Sequence, residues 1–236
     1  MKLPITCNEC KFKSPHADIY VEEIEIRDDF LYKITCPNGH ESITLLTQQR
    51  YEILFEIGAY AVIDGYYREA ISSFTSSLER YYEFFVKTIL ISQSVRSDEI
   101  DKSWKNVSSQ SERQLGGYVF THLLVFGVVP SLMDNKLIKL RNEVIHKGKI
   151  PSKNESIEYG EKTLALIREG VSRLQANHNN AVREMIRQSI CGPDNENGKV
   201  GTMTVPTILN LIVSDNDYHN RSLRDAIEDI RNHRLM

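Results

Sequence analysis

Arg141, Asn142 and His146 fall within the stretch "KLIKLRNEVIHKGKIP", residues 136–151. On an α-helix, at about 100° per residue, Asn142 and His146 lie on one face, a turn apart. Arg141 sits about 140° round the axis from His146, and its long side chain can reach back. A guanidinium, an amide and an imidazole on one patch are the groups that phosphodiester cleavage needs. A cation stabilises the charge that builds on phosphorus, and an imidazole moves protons near neutrality. Lysines surround the trio. Between 136 and 153 the cations Lys136, Lys139, Arg141, Lys147, Lys149 and Lys153 meet a single acid, Glu143. Such a run is either a solvated face or a phosphate-facing patch. For the second reading Lys136, Lys139, Lys147 and Lys149 are the RNA-binding candidates. The structural alternative for Arg141, Asn142 and His146 is a buried polar network that fixes helix register.

A second constellation lies near the start of the chain. "CNEC" places Cys7 and Cys10 two residues apart in a turn, and "CPNGH" places Cys36 and His40 in another. Two tight turns, each delivering two ligands, make the tetrahedral set that zinc prefers. Three thiolates and an imidazole leave no open position, so the expected role is structural, and a β unit this small needs such a staple. His16 is a competing fourth ligand, but it stands outside either turn. Cys191, beside a Gly-Pro turn, is remote from the other three and reads as a lone thiol.

These residues must be placed by the elements around them. "ADIYVEEIEI" and "DFLYKITC" carry β-branched and aromatic residues in partial alternation and are expected to pair as a hairpin between the two ligand turns; "HESITLL" is a third strand. From Thr47 the apolar spacing changes to three and four. Asp64-Gly65 divides that region into two antiparallel helices, roughly 47–63 and 66–92. Residues 94–113 are polar around Trp104, and "LGGYVFTHLLVFGVVPSLM" is expected to be a short buried helix ending before Pro130. In the motif helix Asp134 caps the start, Gly148 suits the end, Pro151 forbids continuation, and Leu137, Ile138, Leu140, Val144 and Ile145 form its apolar stripe. A long helical stripe follows, with "NHNN" (177–180) as a break point. "CGPDNENGKVG" (191–201) reads as loop, "VPTILNLIV" as helix or strand, and Ser222 with Asp225 opens a last helix in capping-box spacing. Tyr60, Tyr66, Tyr67, Phe74 and the "YYEFF" run are core or interface residues. The expected architecture is mainly α: a small β zinc ribbon over 1–46, a helical bundle over 47–190 and a C-terminal extension over 191–236.

"LRNEVIHKG" resembles the signature of HEPN domains (higher eukaryotes and prokaryotes nucleotide-binding) in its R-N-x-x-x-H form. "REAISSFTSSLERYYEFFVKTIL" is similar to an earlier helix of that family, through Ala70, Phe74, Leu78 and Glu79. The resemblance spans about residues 47–175 and implies an all-α HEPN-like bundle. It also implies a metal-independent endoribonuclease that uses the 2′-hydroxyl of RNA as nucleophile, and a homodimer whose two motif helices share one cleft. Carried over, Arg141 would bind the scissile phosphate, His146 would act as general acid or base, and Asn142 would orient either. Glu79 would be a polar partner of the arginine or histidine. Some members of the family only bind, so a non-catalytic nucleic-acid- or protein-binding module is the alternative. Defence or toxin-like RNases pair a small module with such a body.

Composition narrows the classes further. Twenty-nine basic residues against thirty-two acidic ones give a net charge of −3, which excludes a generally basic nucleic-acid coat. The ribbon's own balanced charge speaks against a zinc-ribbon transcription factor. "MKLPITCNEC" does not read as a signal peptide and no apolar run is long enough to span a bilayer, so a cytoplasmic protein is expected.

Overall fold

The computed structural model describes residues 1–13, 19–190, 200–212 and 220–234. His16, Cys191 and His219, and most of the expected 191–201 loop, lie outside the described residues. The described chain is mainly helical with small β-sheets. It divides into two units, residues 1–48 with 186–206 and residues 49–185 with 207–236. The segment 191–236 is therefore shared between both units. Among the described residues no helix is long and apolar enough to cross a membrane.

The smaller unit holds β1 (Lys2–Thr6), α1 (Asn8–Lys13), β2 (Val21–Glu25), β3 (Leu31–Thr35), β4 (Glu41–Leu46) and β5 (Val200–Met203). The three strands expected between 17 and 46 are present, but β2 and β3 do not form a hairpin. Instead β1 pairs antiparallel with β2, and β3 pairs antiparallel with β4, which accepts β5 in parallel. Val200 and Gly201, read from sequence as loop, begin that last strand opposite Ile43 and Thr44. Thr47 ties the strand's end, its amide donating to the Met203 carbonyl at 3.0 Å. Leu3, Ile5, Tyr32, Ile34, Leu46 and Val205 form one apolar core together with Cys7, Cys10 and Cys36.

The larger unit is built on α2 (Arg50–Ile63) and α3 (Tyr67–Ser92), packed antiparallel on either side of the turn at Asp64-Gly65. Around α3 lie α4 (Ser97–Lys105), α5 (Ser111–Phe126) and α6 (Asn135–Lys147). α7 (Lys153–Ile190) follows and is interrupted by non-helical backbone at His178, inside the expected break. α8 (Leu223–Arg234) closes the chain, with the Asp225 amide donating to Ser222 Oγ at 3.1 Å. Much of the aromatic stripe is core: Tyr51, Phe55, Phe74, Tyr81, Phe84 and Phe85 are buried and meet edge-on or tilted, whereas Tyr60 and Tyr67 are half-buried and Tyr66 is exposed.

Two sequence expectations fail here for a common reason, the side from which each segment is covered. α5 is not a buried helix. Only Gln114, Tyr118 and His122 on it are buried, while Phe120 is 72% and Leu124 83% exposed. Conversely, "VPTILNLIV" is neither helix nor strand over its described part, yet Thr207, Ile208, Leu209, Asn210 and Leu211 are all buried. A buried irregular segment must find partners for its backbone groups. α2 supplies them. Glu56 Oε2 accepts the Ile208 amide at 2.9 Å, and Glu52 Oε1 accepts the Leu211 amide at 2.5 Å. The other oxygen of Glu52 accepts the Gln49 amide at 2.6 Å, and Gln175 donates to the Leu211 carbonyl at 2.9 Å.

Burial pushes both carboxyls up to about 7, against the opposing pull of those amides. A folded-state value above the unfolded one means that folding takes up protons. The stabilisation is complete below about 4.5 and is lost as pH rises through about 7. Glu56→Gln keeps an acceptor for the Ile208 amide and removes the titration. Chemical denaturation across this range should show wild-type stability falling by an amount on the order of 3 kcal/mol per such group, and a shallower fall in Glu56→Gln. A variant that follows the wild-type curve throughout would refute the assignment.

Candidate functional sites

The first site is the cysteine–histidine cluster. Cys7 closes β1, the α1 turn carries Cys10, and the β3–β4 turn carries Cys36 and His40. That turn is fixed by Gly39, whose φ of 76° suits glycine, and by the Gly39 amide donating to the Cys36 carbonyl at 2.9 Å. Asn8 locks the two turns together, its amide donating to Ser42 Oγ at 3.0 Å and its side chain to Thr44 Oγ1 at 3.1 Å. The four ligand atoms lie within 4.8 Å of one another, three of the residues being buried and His40 partly so.

The separations test whether a metal fits. A tetrahedral ion with bonds of about 2.3 Å to sulfur and about 2.1 Å to nitrogen needs sulfurs about 3.8 Å apart and sulfur–nitrogen pairs about 3.6 Å apart. Cys10 Sγ and Cys36 Sγ are 3.7 Å apart, and His40 Nδ1 is 3.4 Å from the first and 3.5 Å from the second. This spacing is far too long for a disulfide and right for shared ligation. Burial opposes ionisation of Cys36, but the amides of His40 and Asn38 outweigh it and hold the thiol below its ordinary value. The outer contacts were missed in the sequence although they lie inside the motifs. Asn38 donates its side-chain amide to Cys10 Sγ at 3.6 Å, and Glu9 Oε2 is 3.9 Å from His40 Nε2, the ring nitrogen that turns away from the sulfurs.

The second site is on α6. Asp134 and Gly148 bound the helix at the positions the sequence indicates, with Gly148 at φ 71°, although the Asp134 side chain makes no capping hydrogen bond. Leu137, Leu140 and Val144 are buried, whereas Ile138 is exposed and Ile145 half-buried, so the apolar stripe is narrower than expected. Burying that side turns Lys139, Asn142 and His146 outward together, at helical steps of three and four. All three are exposed. This contradicts the buried-network reading for Asn142 and His146. Among the described residues His146 has no hydrogen-bond or ion-pair partner.

Arg141 lies at the shoulder and is half-buried. Its Nη1 donates to Asn142 Oδ1 at 2.9 Å, and its Nη2 approaches Glu79 Oε1 on α3 at 3.4 Å. Burial raises the Glu79 carboxyl above its ordinary value, while the Arg141 and Arg80 guanidiniums pull it back and Glu112 adds to the rise. Tyr159 on α7, absent from the sequence reading, also senses the charges of Arg141 and Glu79; its hydroxyl is 2.9 Å from Thr75 Oγ1. No local pattern marks it, because its neighbours come from α3 and α6.

The lysines divide. Lys136 pairs with Glu158 at 2.7 Å, and Lys149 pairs with Glu155 at 2.9 Å and Glu143 at 3.4 Å. The Ser152 amide and Lys149 hold the Glu155 carboxyl well below the usual carboxylate range. Lys139, Lys147 and Lys153 are exposed with no acidic partner among the described residues. The positive run is therefore partly neutralised by acids from α3 and α7.

Compared with known proteins, the chain matches no family model, no curated protein and no solved structure.

The cluster geometry leads to a direct measurement. Purified protein should contain about one tightly held metal ion per chain, as a single four-ligand site requires. Cys36→Ser should lose most of that metal and expose the first 46 residues to limited proteolysis. A metal-free wild type with a protease-resistant N-terminal unit would rule the site out.

Proposed function

We propose that this protein is a metal-independent endoribonuclease of the HEPN type, acting as a homodimer, with zinc in the cysteine–histidine cluster. The observation that carries the catalytic reading is the α6 face. An exposed imidazole without an internal partner among the described residues stands one turn from an exposed amide and near a guanidinium held by a partly buried carboxylate. That imidazole is His146, and the one partner of the Asn142 amide among the described residues is the Arg141 guanidinium beside it, at 2.9 Å.

In this reading the RNA 2′-hydroxyl attacks the adjacent phosphorus and gives up its proton to a base. The bond from phosphorus to the 5′-oxygen breaks, and that oxygen takes a proton from an acid. The products are a 2′,3′-cyclic phosphate and a 5′-hydroxyl. His146 performs one proton transfer at a time, and a second copy supplies the other imidazole in a shared cleft. Arg141 stabilises charge on the phosphate oxygens, with Glu79 fixing the guanidinium and Asn142 orienting it. Lys139 and Lys147 carry the free charge that meets the RNA backbone, and Lys136 and Lys149 join them where RNA phosphates displace their acids.

Zinc suits three thiolates and one imidazole in a closed tetrahedron, and its role is to hold a unit whose sheets are too small to hold themselves. Reduced thiols of this kind fit a cytoplasmic setting, and the pairing of a small metal unit with a nuclease body fits a defence or toxin-like system. The partial neutralisation of the lysine run favours a second reading, a non-catalytic binding module, in which Arg141 and His146 recognise a partner without cleaving it.

The deciding experiment compares wild type with His146→Ala on a mixed RNA pool in divalent-free buffer, scoring 2′,3′-cyclic ends. Loss of the imidazole should lower cleavage by a factor of order 10²–10⁴ with thermal stability unchanged, because the side chain is exposed. Equal cleavage by both proteins would remove His146 from the chemistry. RNA binding without cleavage by either would favour the binding module.

A further inference from the structure

We propose that the outward face of α5 is the surface on which two copies of this chain meet, with Phe120 of each copy seated over Gly117 of the other. This deepens the homodimer reading above and does not depend on the chemistry assigned to α6.

Three observations converge on this face. The first is apolar exposure. Phe120 and Leu124 are the two most exposed apolar side chains of α5, Leu123 is also exposed, and Val128 and Val129 continue the surface directly after the helix. Such a patch on one contiguous stretch marks an interaction site rather than the ordinary scatter of surface hydrophobics. The second is charge. Residues 114–133 contain no Asp, Glu, Lys or Arg in a chain that is 26% charged, and the one histidine among them, His122, is buried. An isologous interface brings a patch against itself, so any charge on it would meet its own sign; an uncharged patch carries no such penalty. A membrane-surface helix would instead carry Lys or Arg along its polar side, and the opposite side of α5 is Gln114, Tyr118 and His122, packed in the core.

The third is glycine. Gly116 and Gly117 sit in the interior of α5, where glycine is the poorest helix former after proline. A Cβ at either position would meet nothing within 4 Å, so no contact inside the chain requires the missing side chain. Gly117 is exposed and shares a face with Phe120 and Leu124, at steps of three and seven residues. A small residue next to two large ones makes a hole beside a knob, and two copies related by a two-fold axis exchange knob for hole reciprocally. Close backbone approach by another copy is the use for which glycine is worth its cost to the helix.

The test uses the full chain in sedimentation velocity at micromolar concentration, with wild type, Leu124→Asp and Gly117→Leu. Wild type should sediment as a dimer. Both variants should weaken association on the order of thirtyfold or more, as expected at the centre of an interface. The two have opposite effects on the single chain, which separates an interface from a folding defect. Gly117→Leu fills open space with a better helix former and should raise the melting temperature of the dilute protein by about 2–4 °C while it blocks pairing. A wild type that is monomeric overturns the proposal, as does dimerisation that survives both substitutions. A monomeric wild type that floats with phosphatidylcholine vesicles would assign the face to a membrane and also overturn it. A dimer broken by both substitutions but inactive on RNA would support this interface and count only against the nuclease reading.

Discussion

The helical unit depends on α3 being covered along most of its length while one of its carboxylates stays at the boundary with water. Thirteen of its twenty-six residues are buried, and α2, α4, α5 and α6 all pack on it. Most of its interior hydroxyls are paired: Thr75 and Thr88 donate to carbonyls one turn back, and Ser77 donates to the Tyr51 carbonyl, while the Tyr81 hydroxyl is buried without a partner among the described residues. Glu79 is only partly buried, and α6 approaches at that level with Arg141. The ion pair so formed is partly exposed, so its net stabilising effect is small. Its larger consequence is geometric. Leu137, Leu140 and Val144 fix the rotation of α6 against the core, Glu79 fixes the guanidinium, and the outward direction of Asn142 and His146 follows.

Electrostatics along this chain is decided by partners distant in sequence. Read linearly, residues 136–153 are strongly basic. In space Arg141 meets an acid 62 residues away, and Lys136 one 22 residues away. No window over the sequence reveals either pairing. Of the cations left over, Lys139, Lys147 and Lys153, Lys139 shares the side of α6 that carries His146, about 20° from it by helical rotation and about two turns earlier. In the proposed reaction a phosphate at the imidazole would have Lys139 on the same outward side and Arg141 at the edge.

What the sequence reveals depends on how local each determinant is. The α2–α3 division at Asp64-Gly65, the limits of α6 and the break near His178 rest on turn and capping residues a few positions apart, and the structure has them in those places. The four residues of the cysteine–histidine cluster were legible for the same reason, since each pair sits in or beside one turn. β5 was not legible, because Val200–Met203 becomes a strand only by pairing with β4 some 157 residues earlier. The hairpin expected of β2 and β3 failed similarly: alternation identifies a strand but not its neighbour, and β1, hidden in the first six residues, takes β2. The burial of residues 207–211 was illegible for a stricter reason. It is made tolerable by Glu52 and Glu56, two acids that a sequence reading places on the surface.

Those two glutamates give the standard by which the exposed groups of this fold are judged. A buried carboxylate is retained on α2 because backbone amides need it, and a buried histidine on α5 because its Nδ1 lies 2.9 Å from the Val128 carbonyl beyond the helix end. In the metal unit the thiols are closed on one another and on His40. Most costly groups placed inside find a partner, although the Tyr51 and Tyr81 hydroxyls, Trp104 Nε1 and Gln48 Oε1 are buried without one among the described residues. Two exposed sets stand apart: the His146 imidazole, without an internal partner among the described residues, with the Asn142 amide on α6, and glycine beside bare phenylalanine and leucine on α5. The first set has the chemistry of proton transfer and the second has none, only shape. The two sets sit on two helices packed against the same α3, so the α5 face can be altered without touching the residues assigned to cleavage, while cleavage in the proposed shared cleft would still require pairing.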